Sequence, residues 1–309
     1  MANSSAIGRF APSPTGRMHA GNIYAALMSW LIVKSRGGSI VLRIEDLDIE
    51  RSRPEYADQV MRDFELLGLS WDRGPFYQQG RDEAYAHAFD KLKHNGLVYP
   101  CFCTRADLKA ASAPHRGEKR VYPGTCRDLD DVEVSRKSQI RKPSWRLEVP
   151  DETYGLSDLI QGAYMQNLSR DCGDFVIRRS DGLFAYQLAS VVDDAEQGVN
   201  CIVRGVDLLS STPQQIYLQE LLGLPHCEYA HIPLLVAERD RRLSKRDRDA
   251  GMDELLARFK TPEAIIGHIA FITGIAPSSE PRSPEGLLAS FDLDGLKTMF
   301  SDPIQLQWS

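Results

Sequence analysis

Gly8-Arg9-Phe10-Ala11-Pro12-Ser13-Pro14-Thr15-Gly16-Arg17-Met18-His19-Ala20-Gly21-Asn22 is the stretch from which the fold is read. It opens as a short strand, then passes through prolines and a glycine that punctuate the chain. It leads into a periodic segment with Ile23, Leu27, Trp30 and Leu31 on one helical face. Downstream, Ile40-Val41-Leu42-Arg43-Ile44 is almost continuously apolar, as a strand covered on both faces should be. A second helix is expected after it, with Ser52 and Glu55 forming a capping box and Pro54 in the first turn. Val60, Met61, Phe64 and Leu67 make its stripe, and Gly68 is placed to end it. A third helical pattern carries Tyr85, Phe89 and Leu92 and stops at Gly96. Strand, helix, strand, helix predicts an α/β domain with a parallel sheet.

From Cys101 to about Ser180 this rhythm breaks. It resumes with Asn200-Cys201-Ile202-Val203-Arg204 as a strand, a helix opened by Thr212-Pro213 and closed near Gly223, and a strand over Ile232 to Val236. The simplest organisation is a catalytic-type α/β domain of residues 1–100 and 181–250, interrupted by a subdomain at 101–180. Residues 251–309 then form a helical C-terminal region. In it Thr261-Pro262 caps Ala264 to Thr273, Gly274 follows, Ala276 to Pro284 reads as a linker, and a last helical pattern runs from Leu287 to Phe300.

With 309 residues, 42% apolar and 26% charged, the chain has ample material for a core and is not a disordered composition. Its longest nearly apolar run, Ile23 to Val33, has 11 residues and includes Ser29, too short to span a bilayer. Met1-Ala2-Asn3-Ser4-Ser5 lacks the basic start and apolar stretch of a signal peptide, so a cytoplasmic protein is expected. The net charge of −6 excludes a global positive field. Charge is nevertheless uneven: Cys101 to Arg146 holds 11 Lys or Arg against 6 Asp or Glu, and six basic residues lie between Arg239 and Arg248. Such local basic faces suit a polyanion bound at one side, though an unevenly charged solvated surface gives the same count. Of six cysteines, Cys101, Cys103 and Cys126 fall within 26 residues, which points to metal rather than disulfides. Cys172, Cys201 and Cys227 are scattered and fit as small buried apolar residues.

The loop from Pro12 to Asn22 joins the first strand to the first helix, and in open α/β sheets that position lies at the carboxyl edge where ligands bind. A helix N-terminus there directs N–H groups and positive dipole at an anion. His19 can donate to a phosphate oxygen, and Gly21 permits close approach. Arg241-Arg242-Leu243-Ser244-Lys245-Arg246-Asp247 follows the last expected strand and should return to the same edge. Two such elements at opposite ends of one domain can hold a triphosphate from two sides.

These segments resemble a known family. His19-Ala20-Gly21-Asn22 and Arg242-Leu243-Ser244-Lys245-Arg246 are similar to the two signature motifs of class I aminoacyl-tRNA synthetases. Gly8 to Gly16, then Leu42-Arg43-Ile44-Glu45-Asp46-Leu47-Asp48, narrow the likeness to the glutamyl branch, over roughly residues 7 to 250. Asn22 stands where the commonest motif has a second His, a departure usual in that branch. Arg242 stands where it has a Lys, which leaves the ATP role with Lys245.

The resemblance implies a Rossmann-like parallel-sheet catalytic domain and a first step that joins a glutamate carboxylate to the α-phosphate of ATP. It implies His19 and Lys245 as the catalytic pair, with His19, Gly21, Asn22, Ser244 and Lys245 binding ATP, whose phosphate oxygens Mg²⁺ bridges with no dedicated protein site readable. It implies Arg9, Ser13, Glu45, Tyr186 and Arg204 as the glutamate pocket, the guanidinium groups taking carboxylate and Glu45 taking ammonium. A structural ion pair between Arg9 and Glu45 is the plain alternative. It also implies one structural zinc ion in the insertion, held by Cys101, Cys103, Cys126 and Tyr122. Spacing alone nominates the thiols and not the tyrosine, and three buried free thiols are the other reading.

After the Lys245 segment only residues 251–309 remain, too few for the large helical anticodon-binding region of a full glutamyl-tRNA synthetase. The likeness is therefore closest to the truncated family of glutamyl-queuosine tRNA(Asp) synthetases. That implies a monomer, with no membrane partner, that transfers glutamate to the queuosine base in the anticodon of tRNA(Asp). Arg105 to Arg146 is the candidate RNA surface. The alternatives are a minimal enzyme charging a tRNA 3′ end, a non-catalytic zinc-containing RNA-binding paralogue, and a nucleotidyltransferase acting on another acid.

Overall fold

In the computed structural model of the chain, the residues described are 5–111, 121–237, 241–242, 251–297 and 304–305. β1 (Ile7–Phe10), α1 (Ala20–Lys34), β2 (Ser39–Ile44), α2 (Pro54–Leu66) and β3 (Arg73–Tyr77) follow one another, and β2 pairs in parallel with both β1 and β3. Every residue of β2 after Ser39 is buried, including Arg43, which is why the strand reads as an unbroken apolar run. α1 is buried nearly all round rather than on one stripe, because β1 and the strand Cys201–Gly205 lie against one side and helices from the C-terminal region cover another. Gly8 sets the spacing: a Cβ there would come within 2.4 Å of Val33 Cγ2, so α1 lies closer to β1 than a larger residue permits.

The capping box expected of Ser52 and Glu55 does not form. Pro54 opens α2 with Arg53 at the N-cap, so Glu55 falls one position too early to reach back. Val60, Phe64 and Leu67 are buried as the stripe requires, Met61 packs against them, and Gly68 follows the helix at φ +72°. β3 has no counterpart in the sequence reading. All five of its residues are exposed, and its Gly74-Pro75 pair suits only an edge strand.

α3 (Asp82–His94) buries Tyr85, Phe89 and Leu92. The chain then builds β4 (Val98–Cys101), α4 (Arg105–Ala111), α5 (Asp131–Ile140), β5 (Ser144–Leu147), β6 (Thr153–Asp158), β7 (Gly162–Asn167), α6 (Leu168–Asp171) and β8 (Phe175–Arg178). β4, β5 and β8 form an antiparallel sheet, and β6 and β7 an antiparallel hairpin. α7 (Tyr186–Glu196), β9 (Cys201–Gly205), a 3-10 segment (Val206–Ser211), α8 (Thr212–Leu222) and β10 (Glu228–Ile232) restore the parallel pattern, with β9 paired to β10. The Asn200 amide donates to Ile7 O at 3.0 Å, and Ile7 N–H donates to Asn200 Oδ1 at 2.8 Å, setting the start of β9 beside β1. The strands thus run β3-β2-β1 and then β9-β10, and the point where the order turns, between β1 and β9, is where such folds bind ligands.

α8 ends at Gly223, left-handed at φ +67°. The single strand expected over Ile232 to Val236 is instead two. β10 ends at Ile232, Pro233 has no N–H for a ladder, and β11 (Leu235–Ala237) begins beyond it. β11 pairs with β12 (Arg241–Arg242) and, after α9 (Met252–Phe259), α10 (Pro262–Ile272), α11 (Pro284–Leu288) and α12 (Leu293–Lys297), with β13 (Ile304–Gln305). Thr261 caps α10 by accepting from Ala264 N at 3.2 Å. The last helical pattern, read as one segment from Leu287 to Phe300, is split into α11 and α12. No described helix is long and apolar enough to cross a membrane.

Candidate active site

A cavity of about 570 Å³ opens at the carboxyl ends of β1, β2 and β9. Arg9, Ser13, Asn22, Glu45, Tyr186 and Arg204 all line it, so residues as far apart in sequence as 9 and 204 share one wall. The loop after β1 is tied in place by Glu45 N–H, which donates to Pro12 O at 3.0 Å, and by Arg53 N–H, which donates to Pro14 O at 2.9 Å.

His19 is half-buried at the N-cap of α1, and Asn22 Oδ1 accepts from its backbone N–H at 3.1 Å. Gly21 lies in the same first turn. Ser244 and Lys245 lie outside the described residues. Where the described chain resumes, Gly251 forms a β-bridge with His19, Met252 N–H donates to Met18 O at 3.3 Å, and Arg17 pairs with Asp253. The chain at Gly251 to Asp253 is therefore anchored beside the His19 motif.

Arg9 and Glu45 do not pair with each other, contrary to the plain structural alternative. Asp194 lies 3.5 Å from Arg9 Nε and 2.7 Å from Arg43 Nη1, and one carboxylate thus serves two guanidinium groups. Glu45 Oε1 takes Arg43 Nη2 at 3.2 Å. Burial pushes the Glu45 carboxyl above its ordinary range, against the pull of Arg43 and Arg9. Behind the wall, Asp193 accepts from Gln78, from Arg81 Nε at 2.6 Å and from Tyr85. Composition and period did not single out Arg43, Asp193 or Asp194; charged residues inside apolar runs were the available signal.

Arg204 is differently served. Its Nε donates to His231 Nε2 at 3.1 Å, Nη2 to Thr212 Oγ1 at 2.8 Å and Nη1 to the Tyr186 hydroxyl at 3.4 Å. Among the described residues no carboxylate is ion-paired with it. His231 Nδ1 sits 2.6 Å from Asp158 Oδ2, deep in the protein. Burial holds the His231 ring below its ordinary value despite Asp158. Burial also opposes ionisation of Asp158, but hydrogen bonds from His231, Gln161 and Ile160 outweigh it and keep that carboxyl low.

At the end of β4 and in the chain that follows it, Cys101, Cys103 and Cys126 place their sulfur atoms within 4.8 Å of one another, a group able to hold a metal ion. Cys103 and Cys126 are 3.7 Å apart, close to the roughly 3.8 Å edge that tetrahedral thiolates about 2.3 Å from one ion would give. The Tyr122 hydroxyl lies 3.4 Å from Cys101 Sγ and 3.8 Å from Cys103 Sγ, and accepts from Cys126 N at 3.0 Å. Arg146 lies over the Tyr122 ring at 3.7 Å. Burial and the neighbouring Cys101 push the Cys103 thiol up to about 12. Burial opposes the Cys101 thiolate too, yet contacts from Tyr122 and Arg146 bring that thiol down. Around them Tyr99 and Phe102 complete a small apolar cluster, with Leu108, Leu129 and Val134 packed against it.

Part of the basic run from Arg105 to Arg146 is committed internally. Arg127 grips Asp174 at 2.7 Å, Arg141 donates to Phe102 O at 3.0 Å, and Arg146 donates to Asp174 O at 2.6 Å. Arg105, Arg136 and Lys142 remain exposed.

Residues 6–288 match the family model for the catalytic domain of class I tRNA synthetases (E and Q). A glutamyl-Q tRNA(Asp) synthetase of Symbiobacterium thermophilum is 44% identical over 299 residues, covering 93% of this chain and 92% of the relative. One of Thiobacillus denitrificans is 48% identical over 252 residues, covering 81% of each. A glutamate tRNA ligase from Elizabethkingia meningosepticum, solved in complex with its amino acid, superposes with a TM-score of 0.82 at 27% identity, covering 98% of this chain and 67% of that one.

Proposed function

The chain belongs to the class I (E and Q) tRNA synthetases, among the glutamyl-Q tRNA(Asp) synthetases, and from that membership we propose that it activates L-glutamate with ATP and transfers it to queuosine in the anticodon of tRNA(Asp). The observation that carries this reading is Arg204, a buried cation in the cavity wall whose described hydrogen-bond partners are all uncharged. A buried charge without a counterion is costly, and an anionic substrate supplies the missing partner.

Glutamate lies in the cavity with Arg204 and Arg9 facing carboxylate, Glu45 facing the α-ammonium, and Ser13 and Tyr186 closing the sides. The α-carboxylate attacks the α-phosphorus of ATP, and the bond to pyrophosphate breaks. No general base is needed, because the nucleophile is already an anion. Carboxylate and triphosphate repel, so positive charge must be supplied where the leaving group develops its own negative charge. His19, with Gly21 and Asn22 in the first turn of α1, does so from one side, and Ser244 and Lys245 from the other. The bridge between His19 and Gly251 supports that convergence. Mg²⁺ bound to the phosphates adds further charge neutralisation.

Cys101, Cys103 and Cys126 with Tyr122 would hold one zinc ion, which supplies a structural tie to the segment 101–180. We take that segment as inserted between the catalytic portions 1–100 and 181–250, with a helical region at 251–309. Exposed Arg105, Arg136 and Lys142 are its candidate contacts for the RNA backbone. The enzyme works as a monomer in the cytoplasm, where ATP and tRNA are found.

Glutamate-dependent ATP–pyrophosphate exchange without RNA, followed by transfer of labelled glutamate to tRNA(Asp) with and without queuosine, tests the proposal. Exchange, with label only on queuosine-containing tRNA(Asp), is expected. Absence of exchange in folded, zinc-replete protein refutes the activation step. Label on unmodified tRNA(Glu) instead refutes the acceptor.

A further inference from the structure

We propose that His231 and Asp158 are positioning residues for Arg204, a relay that aims its guanidinium at the substrate carboxylate without cancelling its charge. This role rests on the glutamate reading above and deepens it.

An arginine side chain only donates, so His231 Nε2, 3.1 Å from Arg204 Nε, must carry the lone pair. The ring hydrogen is then on Nδ1, pointing at Asp158 Oδ2 2.6 Å away. The order carboxylate, imidazole, guanidinium follows from donor chemistry alone.

Asp158 is itself rigid. Its Oδ1 accepts from Ile160 N at 2.9 Å and Gln161 N at 2.8 Å, and the carboxylate also takes the His231 backbone N–H at 3.1 Å. Gln161 Nε2 donates to His231 O at 2.8 Å, so His231 is held at its ring, its backbone N–H and its backbone carbonyl. Nothing in the cavity is needed to set the tautomer.

The contrast with the neighbouring guanidinium groups gives the relay its purpose. Arg43 is paired with Asp194 at 2.7 Å and Glu45 at 3.2 Å, so its charge is met within the protein, whereas Arg9 reaches the same Asp194 only at 3.5 Å. A carboxylate touching Arg204 directly would orient it equally well but would compete with the substrate. Interposing a neutral ring keeps Asp158 one residue away, in the manner of outer-shell partners that orient a ligating group. Each terminal nitrogen of Arg204 donates once to the protein and keeps a second N–H for a ligand.

Two measurements on the full chain decide this. Nitrogen-15 imidazole spectra of the wild type near pH 7 should show His231 neutral, with hydrogen on Nδ1; an Nε2–H tautomer or an imidazolium overturns the relay. Pyrophosphate exchange with glutamate titrated should show that His231→Leu raises the glutamate KM by about 20-fold or more while the ATP KM stays within about twofold. His231→Gln, which restores an acceptor for Arg204, should recover most of that loss, and Asp158→Asn should raise the glutamate KM several-fold. An unchanged glutamate KM in His231→Leu, or His231→Gln as impaired as His231→Leu, overturns the proposal. Should the leucine variant not fold, Asp158→Asn and the wild-type spectrum decide it. Exchange missing in the wild type itself would instead sink the functional reading, whereas exchange present but insensitive to these variants sinks the relay alone.

Discussion

Arg204→Lys separates charge from geometry at the cavity wall. The substitution keeps one positive charge but loses the planar fork and its three protein bonds, to His231 at 3.1 Å, Thr212 at 2.8 Å and Tyr186 at 3.4 Å. A guanidinium meeting a carboxylate side-on makes two charge-assisted bonds worth about 1.5–3 kcal/mol each, and an ammonium keeps about one of them. The loss of about 2–3 kcal/mol corresponds to a rise in glutamate KM of about 30- to 150-fold. Stability should fall by only ~1 kcal/mol, because Thr212 Oγ1 already lies 3.1 Å from His231 Nε2 and can donate there in place of the arginine. The assay is pyrophosphate exchange with glutamate varied at saturating ATP, alongside urea unfolding. A glutamate KM within about threefold of wild type, in protein of undiminished stability, would refute the placement of Arg204 against the substrate carboxylate.

Lys245→Ala should slow exchange by about 100-fold or more with little change in glutamate KM, since its charge matters most as pyrophosphate departs; loss of glutamate affinity at unchanged turnover would contradict that role. Stripping metal, or Cys126→Ser, should open residues 101–126 to limited proteolysis while the rest stays resistant, and unchanged protection there would argue against a metal tie. Arg43→Met takes from the largely buried Glu45 the guanidinium at 3.2 Å and leaves Asp194 only the more distant Arg9, and should cost about 3–5 kcal/mol in urea unfolding. The depressed His231 value predicts a pH effect of definite sign. Below about pH 6.5 the unfolded chain takes up a proton that the folded ring refuses, so stability is lost as pH falls toward the folded value. His231→Gln should lose less stability than wild type between about pH 7 and 5.5, and parallel slopes would deny that the buried ring is neutral.

Local physics was legible in the sequence wherever one residue's environment is set by its near neighbours. β2 announces itself because it is buried along its whole length after Ser39, α1 shows a periodic stripe although burial extends well beyond it, and Gly68 and Gly223 end helices because they adopt positive φ. β3 was hidden by Gly74 and Pro75, residues that ordinarily argue against a strand and that only an edge position tolerates. Register was the other weakness: one residue's shift of the N-cap undid the Ser52–Glu55 box, and Pro233 divided an apolar run into two strands. The motif residues Arg9, Ser13, Asn22, Glu45, Tyr186 and Arg204 converge on one cavity, but nothing local links Asp158 to His231, which lie 73 positions apart. Each is an unremarkable polar residue until the chain folds, when burial turns their contact into a requirement.

The hairpin that supplies Asp158 sits in the segment between the two halves of the parallel sheet, yet it reaches across to β10 and fastens both faces of the His231 peptide. Sequence layout suggests that this segment is a detachable module, and a designer seeking a smaller amino-acid-activating core would be tempted to trim it at the visible seams. Such a cut would strip the anchor from the back of the substrate chamber. Any successful miniaturisation must spare β6 and its turn, whatever becomes of the cysteine-bearing lobe beyond.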